Sequence, residues 1–325
     1  MNIGLDVGYS ETKAVSGERR VNLPSIVGTP DRARFSVNGT DNLILSLTTG
    51  KSFQVGQAAV TQSRFVDRQE DRNWISSEAY QALMLAAFTE LTPATVEAVV
   101  VSGLPVAFYS DKDTLRNRLL GEHRVTREGR RAQLFRVTEA RVIPQPFGTL
   151  LAAALDNGGR IADQTLAAGS VGVIDCGGKT TNLLSVSRLA EISHETASIN
   201  LGAWDVARAV GNWITDNCPG LDLRDHQLMQ AIIGRQATYY GEPVDLSAIV
   251  AETLQPMADQ VVAQAGQLWN GGAGLAAILV TGGGALLLGP QIRAKFRHAR
   301  VVDDPVFANA LGYWKFAQRL SNSQS

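Results

Sequence analysis

The chain has 325 residues, 45% hydrophobic and 19% charged, an ordinary balance for a globular protein with room for two lobes. A formal net charge of −1 argues against a general nucleic-acid binder, which would be clearly basic. Two cysteines, Cys176 and Cys218, make neither a disulfide framework nor a zinc pair, and read as small, reduced core residues.

The opening Met1-Asn2-Ile3-Gly4-Leu5-Asp6 is no secretory signal, because a carboxylate follows the first apolar residues at once. No apolar run is long enough to span a bilayer, so a cytoplasmic protein is expected. Residues 2–7 predict a short buried strand ending near Asp6, then a glycine turn and a second strand over Thr12–Val15. Short strands and loops are expected over residues 21–75, with Leu43–Leu47 and Phe53–Val55 as strands. From Ser77 to Leu91, Tyr80, Leu83, Ala87 and Leu91 recur at helical spacing and predict a helix with one apolar face. Val99–Val101 reads as a buried strand, Asp111–Leu120 as a helix and Arg141–Ile143 as a strand. Pro146–Leu155 reads as a helix with proline in its first turn.

Residues 156–170 are loop-like, and after them the chain starts again. Val171–Ile174 is a strand reaching Asp175, followed by strands over Leu183–Val186 and Glu191–Ser198. Helices are predicted over Trp204–Asp216 and Ser247–Trp269. Ala277–Val280 is a buried strand that runs into three glycines and a helix over Ala285–Phe296. A last helix is expected over Phe307–Leu320, with the polar tail Ser321–Ser325 disordered. Gly4-Leu5-Asp6-Val7-Gly8 can be laid over Val173-Ile174-Asp175-Cys176-Gly177. In both, an apolar strand runs into Asp-x-Gly and then a polar stretch with threonine, which suits two domains of one design.

Three segments have the composition of a nucleotide site. In Asp6-Val7-Gly8-Tyr9-Ser10-Glu11-Thr12-Lys13, a tight turn would expose backbone N–H groups to phosphate oxygens. Lys13 adds a point charge, and Asp6 can hold magnesium through water. The plain alternative is a hairpin with a surface lysine. Asp175-Cys176-Gly177-Gly178-Lys179-Thr180-Thr181-Asn182 offers the same parts, and a carboxylate in an apolar run is costly unless paired or bound to metal. In Thr281-Gly282-Gly283-Gly284, consecutive glycines would form a flat surface for a purine and sugar, or simply a closely packed strand-to-helix turn. Neither GxGxxG nor a Walker A loop is present.

These elements, in this order, resemble the superfamily of actin, heat-shock chaperones and sugar kinases. Val142-Ile143-Pro144-Gln145-Pro146-Phe147-Gly148-Thr149 looks like its first connecting helix, and Asn309-Ala310-Leu311-Gly312-Tyr313 like its second. Within it, the ParM/StbA-like plasmid-segregation actins are most similar, on the opening Asn-Ile-Gly-Leu-Asp-Val-Gly-Tyr and on Val301–Gly312. The resemblance implies an α/β, actin-like (RNase H-like) fold, with two duplicated domains flanking a nucleotide cleft. Domain I would comprise residues 1–156 and 306–325, with a small subdomain over about 21–95, and domain II residues 170–305.

The resemblance also implies ATP or ADP with Mg²⁺ as ligands, Asp6 and Asp175 holding the metal, and cradles at Gly8–Thr12 and Gly177–Thr180. It places Gly202 and Asp205, in Asn200-Leu201-Gly202-Ala203-Trp204-Asp205, near the cleft. Asn182 stands where the family often has aspartate, so it is not counted as a metal ligand. Gln145, held between two prolines, would orient the attacking water, much as a switch glutamine does. The implied function is ATP-driven filament assembly with ATP hydrolysis, for plasmid segregation through a ParR-type DNA-binding adaptor, without direct nucleic-acid contact. The alternatives are a sugar or acid kinase of the same superfamily, a non-polymerising assembly or chaperone-type ATPase, and a non-hydrolysing scaffold. Two basic stretches, Arg116–Arg131 and Arg293–Arg300, are read as solvated faces, and the five tryptophans as core or interface residues.

Overall fold

The computed structural model describes residues 1–31, 43–67 and 72–323. Parts of the small subdomain expected over 21–95, at 32–42 and 68–71, lie outside the described residues, as do 324–325 of the tail. Contacts divide the chain into two units, Met1–Gln164 with Phe307–Ser325, and Thr165–Val306.

The first unit opens with the antiparallel strands β1 (Asn2–Val7), β2 (Glu11–Ser16) and β3 (Arg19–Pro24). Next come β4 (Val27–Gly28), β5 (Ile44–Leu47), β6 (Ser52–Val55), helix α1 (Gln57–Gln62), β7 (Val66–Asp67) and helix α2 (Glu78–Leu91). Strand β8 (Val96–Leu104), helix α3 (Lys112–Leu119), strands β9 (Gly121–Arg127) and β10 (Gln133–Pro144), and helix α4 (Gln145–Ala154) follow. Among the described residues the strands make one sheet in the order β3-β2-β1-β8-β10-β9-β5-β6-β4-β7, with β1, β8 and β10 parallel. Helix α2 is buried nearly all round, not along one face, because it touches strands β1 to β6 and β9. Its alanines at 79, 82, 86 and 87 let those strands approach on several sides. Ser77 caps it, accepting from the Tyr80 N–H at 3.1 Å.

The chain enters the second unit through α5 (Gln164–Ala168), then β11 (Ser170–Cys176), β12 (Thr181–Ser187), β13 (Ala190–Glu191) and β14 (Ala197–Ile199). Helices α6 (Ala203–Asn217) and α7 (Asp225–Gly234), the hairpin β15 (Gln236–Tyr239) and β16 (Glu242–Asp245), and helix α8 (Ser247–Leu268) come next. Strand β17 (Ala277–Thr281), helix α9 (Ala285–Lys295) and strand β18 (Ala299–Val301) complete it. The sheet runs β13-β12-β11-β17-β18, with β14 also on β12. Val206, Val210 and Ile214 of α6 recur every four residues and join Val250, Leu254 and Val261 of α8 in the core on this sheet. Both cysteines are free and buried.

The two units repeat one topology. In each, a central strand (β1 or β11) pairs antiparallel with the next strand and parallel with a later one (β8 or β17), which pairs parallel with another (β10 or β18). Helix α10 (Ala308–Ser323) returns the chain to the first unit and lies on β1. A Cβ at Gly4 would sit 2.0 Å from the Ala310 carbonyl oxygen, so only glycine lets the helix backbone touch the strand.

Several expectations need correction. The tail does not begin at Ser321, because α10 continues to Ser323. Asn2 holds it there, donating to Gln318 at 2.6 Å and accepting from the Ser321 hydroxyl at 2.9 Å. The stretch Arg116–Arg131 is not simply a solvated face, since His123 and Arg127 of β9 point inward and are buried. Arg127 pairs with Glu90, His123 meets the Leu119 carbonyl at 2.8 Å, and Arg116 donates to the Ala140 carbonyl at 3.3 Å. Three of the tryptophans, Trp74, Trp269 and Trp314, are buried.

Candidate functional site

Each unit carries a hairpin whose closing geometry the other repeats. In the first, Asp6 pairs with Lys13 across β1 and β2, and the Gly8 N–H donates to the Glu11 carbonyl at 3.0 Å. In the second, Asp175 pairs with Asn182 across β11 and β12, and the Gly177 N–H donates to the Thr180 carbonyl at 2.9 Å. A Cβ would lie 3.1 Å from the Glu11 oxygen at Gly8 and 2.8 Å from the Thr180 oxygen at Gly177. The glycine two places after each aspartate therefore closes the turn, and its N–H is engaged there.

Asp6 is 5% exposed. The Gln145 amide donates to it at 3.2 Å, and Lys13 Nζ stands 3.9 Å away. Burial pushes the Asp6 carboxyl above its ordinary range, against the opposing pull of Lys13 and the Gln145 hydrogen bond. Lys13 is also 3.7 Å from Glu11, so neither carboxylate holds the ammonium at hydrogen-bond distance. A buried carboxylate so incompletely compensated is chemically suited to a cation with its own water shell.

The other residues expected on the first hairpin have mixed placements. Tyr9 stacks on Trp74, ring centroids 5.5 Å apart, so its side chain anchors the turn to the core. Thr12 is fully buried with its hydroxyl 2.9 Å from that of Ser25, and the Ser10 carbonyl accepts from the Ser25 N–H at 2.9 Å. These contacts tie the hairpin to Ser25 and Trp74.

In the second unit Asp175 is also 5% exposed, at the end of a strand buried on both faces. The start of α6 is docked under its hairpin, with the N–H groups of Ala203 and Trp204 donating to the carbonyls of Gly177 and Gly178 at 3.0 and 2.9 Å. A Cβ at Gly202 would lie 2.2 Å from the Gly178 oxygen. The Asp205 carboxylate accepts from the Gly202 N–H at 2.9 Å, an N-terminal cap that stiffens this junction. Asn182 faces inward and accepts from the Ser198 hydroxyl.

The glycine run lies directly beside this hairpin. Thr281 pairs with Asp175, and the Gly284 N–H donates to the Cys176 carbonyl at 2.9 Å. Gly282 has φ +84°, and a Cβ there would lie 2.3 Å from the Cys176 oxygen and 2.6 Å from Asp175 Oδ1. Gly283 is exposed, and a Cβ there would meet nothing within 4 Å. Gly282 and Gly284 thus serve close packing, while Gly283 is the open face.

Sequence reasoning set Gln145 between two prolines but missed the helix crossing beside it. Gln145 opens helix α4 behind Pro144, with Pro146 in the first turn. The two segments read as connecting helices cross here, where a Cβ at Gly312 would fall 1.7 Å from the Gly148 carbonyl oxygen. Small residues at 148 and 312, one in each segment, were the available signal. Among the described residues no group of three or more His, Cys, Asp or Glu is arranged to hold a metal, and no helix is long and apolar enough to cross a membrane.

Comparisons with known proteins bear on the fold and the family. A family model for the N-terminal domain of actin-like proteins matches residues 4–148. A model for the C-terminal part of the archaeal, MreB-like actin homologue matches residues 173–294. Archaeal actin homologs from Thermoplasma volcanium and Thermoplasma acidophilum are each 27% identical over 337 residues, covering 98% of both chains. A crystal structure of an archaeal actin homolog matches with a TM-score of 0.81 and 22% identity, over 98% of this chain and 99% of that one. Its complex with ADP matches with a TM-score of 0.80 over the same shares. A ParM from a 15-stranded filament of Clostridium botulinum matches with a TM-score of 0.80 and 23% identity, over 98% and 99%.

Proposed function

The chain is an actin-like protein, and on that premise we propose that it is an ATPase that assembles into filaments with ATP and magnesium. The observation that carries the proposal is the repeated hairpin, a buried strand-tip aspartate followed by a glycine-closed turn, once in each unit. Each such turn has the parts to hold phosphate oxygens, a strand-tip carboxylate for a metal and backbone N–H groups at its tip. The ADP complex of the archaeal actin homolog supports nucleotide binding, and the ParM filament supports self-assembly.

Phosphoryl transfer needs positioning and charge stabilisation more than covalent chemistry. Magnesium, when bound, would neutralise charge on the β- and γ-phosphates, and Asp6 and Asp175 are the residues to hold it through water. Lys13, shared loosely between Asp6 and Glu11, can swing onto an outer phosphate without breaking a hydrogen bond. The tips of the two hairpins offer backbone N–H groups, while Gly8 and Gly177 keep the turns closed. In the glycine run it is Gly283, the open position, that would face adenosine, with Gly282 and Gly284 packing the turn against the hairpin, and Gly202 and Asp205 hold the second hairpin in shape. Gln145, already hydrogen-bonded to Asp6, orients the attacking water. A glutamine is a weak base, so turnover by the monomer should be slow, and assembly should speed it.

The setting we propose is cytoplasmic plasmid segregation through a DNA-binding adaptor of ParR type, with no direct nucleic-acid contact. The test is right-angle light scattering with phosphate release, measured with ATP and magnesium, with ADP, and with ATP after chelation of the metal. Scattering should rise only in the first case and fall as phosphate appears. A flat signal across a protein concentration series removes the filament, and absence of phosphate removes the ATPase.

A further inference from the structure

Helix α10 grips helix α4 at its middle and at its C-terminal end. Midway along α4, the side-chain oxygen of Asn309 accepts from the Thr149 N–H at 3.2 Å and from its hydroxyl at 2.8 Å. At the far end, the buried Lys315 ammonium donates to the carbonyls of Ala152 and Leu155, each at 2.6 Å. A cation at a helix C-terminus complements the partial negative charge there. Between them stands Tyr313, completely buried, whose hydroxyl donates to the Gln145 carbonyl at 3.1 Å.

The ring of Tyr313 occupies a notch that two glycines make. A Cβ at Gly103 would lie 2.0 Å from its hydroxyl oxygen, and one at Gly148 would lie 2.5 Å from its Cε1. The same Cβ at Gly103 would come within 3.2 Å of the Gln145 Cα. A ring that fits in one place carries a hydroxyl that points in one direction. Its bond fixes the backbone of the residue whose amide reaches Asp6 at 3.2 Å.

We infer that Tyr313 is a positioning residue for ATP hydrolysis, holding Gln145 at the angle from which its amide meets Asp6 and the attacking water. This rests on the role proposed above for Gln145. Loss of the hydroxyl would leave nucleotide contacts intact and let the first turn of α4 drift, and a shift of a fraction of an ångström slows a reaction that depends on geometry. The effect should therefore fall on kcat and spare KM.

The experiment is steady-state ATP hydrolysis at matched assembled mass for the wild type, Tyr313→Phe, Gln145→Ala and the double variant, with unfolding midpoints for each. Tyr313→Phe keeps the ring in its notch and should lower kcat by about three- to ten-fold, the scale of one lost hydrogen bond. KM should stay within about two-fold, and the double variant should be no slower than Gln145→Ala. A fluorinated tyrosine at 313, a stronger donor of nearly the same size, should keep kcat at or above the wild-type value. It also serves as the working variant should Tyr313→Phe fold poorly. A wild-type kcat in Tyr313→Phe beside a slow Gln145→Ala overturns the inference, as does a fluorotyrosine variant as slow as the phenylalanine one. Wild-type turnover in Gln145→Ala instead overturns the role of Gln145, and the positioning claim falls with it.

Discussion

Two helix glycines, Gly312 and Gly266, should answer the same substitution with opposite signs. At Gly312 of α10 an added methyl would sit 1.7 Å from the Gly148 oxygen, 2.6 Å from its carbonyl carbon and 2.8 Å from the Ala152 nitrogen. All three are backbone atoms of α4, so no side chain can swing aside, and the helices must separate by more than an ångström. Overpacking of this kind costs about 1–3 kcal/mol, and a clash against rigid backbone belongs at the upper end. Alanine returns about 1 kcal/mol of helix propensity, which leaves a net loss of about 2 kcal/mol. At Gly266 of α8 nothing lies within 4 Å, so only the propensity remains and Gly266→Ala should stabilise by about 0.5–1 kcal/mol. Urea unfolding of the full chain, followed by circular dichroism, measures both. A Gly312→Ala variant as stable as the wild type would refute the argument that these backbones touch.

Two further predictions concern the site. Burial holds the Asp6 carboxyl above its ordinary range, so the folded state binds that proton more tightly than the unfolded chain does. The ionised group therefore penalises folding at neutral pH, and the penalty fades as the pH falls through the folded pKa. Asp6→Asn should raise the unfolding midpoint of the nucleotide-free chain near pH 7, lose that advantage in acid, and abolish turnover; a lower midpoint at neutral pH contradicts this. Gly282→Ala should lose about 1–3 kcal/mol of stability and weaken nucleotide binding, because φ +84° and the nearby Asp175 both exclude a side chain. Gly283→Ala, with open space around it, should keep wild-type stability in calorimetry, and equal losses in the two variants would be the contrary result.

The strand tips were legible because their signal is local. Asp6 and Asp175 each end an apolar run and precede a glycine two places on, and the structure gives both the same closing hydrogen bond. Helices α6 and α8 were legible because apolar residues recur over 15 and 22 positions. Strands β9 and the first half of β10 were not, since an arginine-rich alternation looks like surface until a partner for buried Arg127, such as Glu90, is known. Helix α7 and the β15–β16 hairpin are too short to show a period. The tyrosine that reaches Gln145 is 168 residues away in the chain, and a contact of that separation leaves no mark in spacing.

The return of α10 to β1 has a consequence for synthesis. Gly4 is translated before Thr165–Val306, yet the backbone that covers it, at Ala310 and Trp314, is translated only after all of that unit. The second unit can therefore condense while the nascent first unit still exposes one face of its central strand. A stalled or truncated transcript that ends before Ala308 would release a chain with that face bare, a substrate for chaperones and proteases.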